Sequence, residues 1–164
     1  MWILPVQTTG FLDETQKAQL AVLFNALQPG DVTNKVPDAV QSGAVNFVDL
    51  LLARDETVFA DIPKWKTLYP KALQALHDQS MLLFNTPLKT INGEQATSLI
   101  AQLETGSLTN FLFNGEKIDQ AGLFDMLRRH CIQGCFSDTR WGGNTNLIMW
   151  KWFGYQEETK QSIK

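Results

Sequence analysis

Between Gly134 and Tyr155, 22 residues gather Trp141, Trp150, Trp152, Phe136 and Phe153 around the triplet Gly142-Gly143-Asn144. Aromatic side chains bury large areas at little entropic cost, so such a run needs a core or a partner surface to cover it. The triplet supplies consecutive positions that tolerate positive φ, and the chain can turn sharply there. A turn held between Arg140-Trp141 and Trp150-Lys151 reads as a docking element, because Trp and Arg are the types that anchor interface hot spots. The candidate partner-contact residues are Asp138, Arg140, Trp141, Gly142, Gly143, Asn144, Trp150 and Lys151. An internal reading stands beside this one: Asp138 and Asn144 bond the turn backbone while Trp141 plugs a hole between helices. The two are compatible, since a rigid corner makes a good docking surface. Trp150 and Trp152 fall on different faces of a helix, one for the core and one for a surface.

The rest of the chain reads as helices. Asp13 and Gln16 form a capping box, after which Leu20, Leu23, Phe24 and Leu27 recur at three- and four-residue spacing until Pro29-Gly30. The segment from Pro29 to Asp38 reads as a loop. A second helix spans roughly Gln41 to Arg54. A third opens with Pro63 in its first turn and runs to about Asn85, with Pro70 expected to kink or restart it. Asn92 caps a fourth helix that Gly106 stops. Ser107 to Asn114 reads as a helical turn or a short buried link, and a fifth helix covers about Glu116 to Phe136. No convincing period-two alternation is visible, so strands are not expected. The expectation is one all-α domain over 1–164: a compact bundle of five to six helices, an irregular aromatic-rich C-terminal segment, and a frayed tail over 156–164.

The totals narrow the function. A net charge of −3 argues against nucleic-acid binding, which needs clustered cations. No segment has the ~20 apolar residues that cross a bilayer. The start, Met1 to Pro5, shows no export signal, which points to the cytoplasm unless the chain travels with an exported partner or a leader is missing. Cys131 and Cys135 are four apart and read as small buried residues; a disulfide inside one helix would be strained, and a zinc site lacks ligands. Phe124, Leu127, Cys131 and Cys135 trace an apolar stripe on the fifth helix, and Arg128 shares it. That guanidinium either snorkels or finds a structural partner, or braces the 137–144 loop through Asp138. His77 reads as solvated or capping. His130 is placed on the side opposite the stripe, where a general acid or base role is the lesser alternative. Nucleotide-binding glycine loops and nucleophile elbows are missing from the sequence, so no catalytic, cofactor or metal residues are assigned to this chain.

The stretch Arg128-Arg129-His130-Cys131-Ile132-Gln133-Gly134-Cys135-Phe136-Ser137-Asp138-Thr139-Arg140-Trp141-Gly142-Gly143-Asn144, followed by Trp150-Lys151 and Gly154-Tyr155, resembles the C-terminal signature of the gluconate 2-dehydrogenase subunit 3 family. A weaker echo runs through Leu12 to Gln16, Leu27 to Asp31 and Ala44 to Leu52. The resemblance implies a non-catalytic small subunit that stabilises or matures a large flavoprotein of the glucose–methanol–choline type. That partner would carry FAD, oxidise a sugar or sugar acid, and in some complexes pass electrons to a cytochrome c subunit. Family members often carry a twin-arginine export signal, from which this sequence departs. The alternatives are a stand-alone helical enzyme or ligand-binding protein with a pocket near His130 and Arg140, and a chaperone that leaves after maturation.

Overall fold

The computed structural model describes residues 8–155, so the expected frayed tail and the export-signal region at Met1 to Pro5 lie outside the described residues. Six helices carry the fold: α1 (Glu14–Leu27), α2 (Ala44–Ala53), α3 (Ile62–Phe84), α4 (Gly93–Thr105), α5 (Gln120–Phe136) and the single-turn α6 (Ile148–Trp152). Among the described residues the fold is all-α apart from a two-stranded hairpin, β1 (Leu112–Phe113) with β2 (Glu116–Lys117), and an isolated bridge between Asp31 and Val36. Two of the helix starts follow directly from capping chemistry. Asp13 accepts from the Gln16 N–H at 2.8 Å while Gln16 Oε1 accepts from the Asp13 N–H at 3.0 Å, and Asn92 with Gln95 repeats the device on α4.

Helix α5 is the centre of the bundle. It packs on α2, α4 and α1, and α1 packs in turn on α4. Leu20, Leu23 and Phe24 of α1, Leu99 and Leu103 of α4 and Leu123 and Leu127 of α5 are all buried in one core. Each such side chain contributes about 1.5–3 kcal/mol by leaving water. The chain ahead of α1 is tied down by Asp49 of α2, whose Oδ1 accepts from the N–H groups of Phe11 and Leu12, both at 2.7 Å.

Two helix starts differ from the sequence expectation. Helix α2 begins at Ala44 rather than near Gln41, because Asp38 and Gln41 make a reciprocal cap around a turn and Gly43 then takes φ +78°. Helix α5 begins at Gln120 rather than Glu116. Asn114 and Gly115 adopt φ +49° and +81°, the pair of left-handed positions that a tight hairpin needs, and they fold 112–117 back on itself. The expectation of no strands is corrected by this hairpin. Pro70 sits inside α3 without restarting it: the helix continues from Ile62 to Phe84, held by buried Tyr69, Ala72, Leu73 and Leu76.

Candidate functional site: the C-terminal corner and its aromatic face

The corner after α5 is built on close backbone contact. Gly134 lies so near α2 that a Cβ there would come 2.7 Å from Ala44 Cα. The Asn144 N–H donates to the Gly134 carbonyl at 2.8 Å, and a Cβ on Gly143 would collide with that same carbonyl. Two further bonds fasten the loop to the start of α2: the Thr145 N–H to Ser42 O at 3.0 Å, and Asn46 Nδ2 to Gly142 O at 2.8 Å. Asn144 is wholly buried, and its Oδ1 accepts from the Met149 N–H at 3.0 Å, which fixes the approach to α6. Asn144, Asn146 and Leu147 all have positive φ (43°, 54° and 58°), a conformation that costs a residue such as leucine about 1–2 kcal/mol.

Asp138 caps the short turn Thr139–Trp141. Its Oδ1 accepts from the Arg140 N–H at 2.9 Å and its Oδ2 from the Arg140 guanidinium at 2.8 Å. Those bonds to Arg140 hold the Asp138 carboxyl below its ordinary pKa. Trp141 is half-buried between the Arg54 guanidinium, 4.9 Å from its ring centre, and the Phe59 ring at 6.1 Å.

Beyond the corner the rings turn outward. Phe136, Trp152, Phe153 and Tyr155 are 37%, 45%, 51% and 53% exposed. Phe136, Phe153 and Tyr155 form one cluster with Trp150: Phe136 to Phe153 at 6.1 Å, Phe153 to Tyr155 at 6.5 Å, Trp150 to Tyr155 at 4.9 Å. Trp152 lies apart from it, against the 31–37 loop. The indole N–H groups are already spent inside the chain, Trp150 on Phe136 O at 2.8 Å and Trp152 on Asn34 O at 3.3 Å. What faces outward is therefore apolar ring surface. An open apolar groove of about 520 Å³ adjoins it, lined by Phe47, Leu51, Phe59, Trp65, Ile132 and Trp141. The exposed rings and the groove thus place apolar surface side by side at this corner.

The eight candidate contact residues separate by depth. Arg140 and Lys151 are exposed, while Asp138, Trp141, Gly142 and Trp150 are partly buried. Gly143 and Asn144 are enclosed by their own chain and shape the corner. Both tryptophans at the end reach the surface, and the core position is taken by Met149 just ahead of them. Reading the run through its tryptophans passed over Phe136, Phe153 and Tyr155. The available signal was their place in the same aromatic run, Phe136 closing α5 and Phe153 and Tyr155 following α6.

Elsewhere the placements are mixed. His130 is not on a free side of α5 but 1% exposed, its Nδ1 2.8 Å from the Tyr69 hydroxyl. Helix α5 buries a second row, Leu123, Met126 and His130, beside the expected stripe. Desolvation, with the Arg129 charge adding to it, pushes the His130 pKa down to about 4. Arg128 is exposed and pairs with Asp125 at 3.5 Å, and Asp138 is taken by Arg140, so Arg128 does not brace the loop. His77 caps, accepting the Leu88 N–H at 3.4 Å. Both cysteines are free and buried. His130 lines a cleft with Asp61, Lys64, Asp119 and Arg129, whereas Arg140 stands at the corner; the structure does not bring the two together.

Among the described residues no helix is long and apolar enough to cross a membrane. No curated protein and no solved structure matches the chain significantly. A family model described as gluconate 2-dehydrogenase subunit 3 matches residues 14–156, the bundle and the whole aromatic corner together, and the chain belongs to that family of dehydrogenase subunits.

Proposed function

We propose that this chain is the non-catalytic small subunit of an FAD-dependent sugar or sugar-acid dehydrogenase, and that it binds and stabilises a flavoprotein large subunit of the glucose–methanol–choline type. FAD then belongs to the partner, and a cytochrome c subunit is the further component that such a complex accommodates. The observation that carries this reading is the outward cluster of Phe136, Phe153 and Tyr155, with Trp152 exposed on the same short segment, on a corner locked to α2 and α5. Permanent hetero-complexes use large apolar interfaces, and ordered aromatic anchors give them affinity at low entropic cost. Arg140 and Lys151 supply a polar rim to that face.

The test is co-expression with the large subunit followed by affinity capture and flavin-dependent sugar oxidation. The paired variant Phe153→Ser with Tyr155→Ser is expected to fold as the parent does and to lose capture of the large subunit. Undiminished capture and activity would remove the aromatic face from the interface. A stand-alone role predicts a ligand or a reaction in the absence of any flavoprotein, and the same preparation without the large subunit tests it.

A further inference from the structure

Tyr69 and His130 are buried polar groups that the docking face does not use. Tyr69 of α3 has no exposure and His130 of α5 has 1%. The phenolic oxygen lies 2.8 Å from Nδ1, and the rings stack at 11° with centroids 5.9 Å apart. A buried hydroxyl must place its proton, and Nδ1 is its one acceptor among the described residues. Tyr69 therefore donates, and His130 is the tautomer protonated on Nε2. Burial favours the neutral form of each, the phenol with its pKa raised and the imidazole with its pKa lowered. The result is a neutral O–H aimed at the Nδ1 lone pair, both atoms on buried side chains.

A file of rings leads from this pair to the surface. Trp65 lies 4.6 Å from His130 at 85°, Phe59 lies 6.4 Å from Trp65, and Trp141 lies 6.1 Å from Phe59. Trp65 and Trp141 line the same open groove. Tryptophan and tyrosine are the ring side chains most readily oxidised by one electron, and here they stand in sequence from a half-exposed indole to a buried phenol.

We propose that Tyr69 is a one-electron redox site whose phenolic proton passes to His130 Nδ1, reached from the surface through Trp141 and Trp65. The oxidant is a high-potential one-electron acceptor of the oxygen-radical class; a flavin or haem in ordinary turnover is too weak. It takes one electron from Trp141, Trp65 refills Trp141, and Tyr69 refills Trp65. As Tyr69 gives up its electron its O–H bond breaks and a bond forms from that proton to Nδ1. A neutral phenoxyl radical and an imidazolium remain, and no proton leaves the pair. A one-electron reductant later reverses both movements. Transferring the proton avoids a buried phenol radical cation, which sets the direction inward. The new imidazolium lies within cation–π range of Trp65. Around it, Asp61, Asp119 and Asp125 favour the charge while Arg129 and Lys64 oppose it, and the Cys131 thiol on the same helix stays neutral, its pKa raised by its bond to Cys135 and by burial.

The chain has two tyrosines, Tyr69 and Tyr155, and the second is exposed, so Tyr155→Phe leaves Tyr69 as the sole source of a tyrosyl radical without disturbing the core. Flash oxidation of the full chain uses ruthenium tris-bipyridine with an irreversible electron-accepting quencher. In Tyr155→Phe the expected product is a neutral tyrosyl radical by electron paramagnetic resonance, formed more slowly in deuterium oxide. Adding Trp65→Phe is expected to delay its appearance. Tryptophanyl radicals alone in Tyr155→Phe would overturn the proposal, and an unchanged rate with Trp65→Phe would overturn the route.

Discussion

The helical body up to Phe136 and the corner after it are held together in different ways. The body is a matter of side chains: leucines and phenylalanines from α1, α4 and α5 share one core, and caps at Asp13 and Asn92 set where two of the helices begin. The corner is a matter of backbone, with Gly134 against Ala44, Gly143 against Gly134, and peptide groups of 142–145 bonded to Gly134, Ser42 and Asn46. The body spreads its stability over many side-chain contacts, whereas the corner rests on a few backbone contacts with no room to spare. The rings that the corner presents contribute little to either.

The sharpest contrast comes from substitution in each region. Leu23→Ala, at a site with no exposure, is expected to lower stability by about 2–5 kcal/mol, read by chemical denaturation. In the corner, Gly143→Ala adds one methyl against a carbonyl and is expected to cost about 1–3 kcal/mol, with loss of large-subunit capture. A Gly143→Ala protein with parental melting would break the distinction between the two regions.

Mild acid probes the body through His130. The folded pKa of His130, about 4, lies below its ordinary 6.5, so between those values the unfolded chain binds a proton that the folded chain refuses. Stability is therefore expected to fall as pH drops from 6.5 toward 4, by up to about 1.4 kcal/mol per unit. Thermal melts across that range check it, and His130→Gln should flatten the slope. Asn92→Ala removes one helix cap and is expected to cost about 1 kcal/mol without touching capture. The smallest stability effect belongs to Trp152→Ala, within about 0.5 kcal/mol for the isolated chain, accompanied by weaker capture.

The body was legible because its information is local. Asp13 with Gln16 and Asn92 with Gln95 announce helices at three-residue spacing, and the leucines of α1 and α4 point one way. Helix α5 was legible only in part. Periodicity reports the stronger of two buried faces, and the row containing His130 faces α3, whose Tyr69 lies 61 residues earlier. The hairpin at Asn114-Gly115 was written in the sequence as a turn dipeptide, but two-residue strands are too short to show alternation. The corner announced its aromatic content and not its depth. Whether Asn144 is inside or outside depends on how closely α5 approaches α2, and that distance is fixed by Gly134 and Ala44, which look unremarkable one at a time.

The Gly134–Ala44 approach has a mechanical consequence. The aromatic face has no scaffold of its own; its position in space is borrowed from the crossing of two helices. Variants that loosen that crossing should shift melting temperature and large-subunit affinity together, while variants of the outward rings should move affinity alone. Plotting one quantity against the other across a small panel would separate the hinge from the handle.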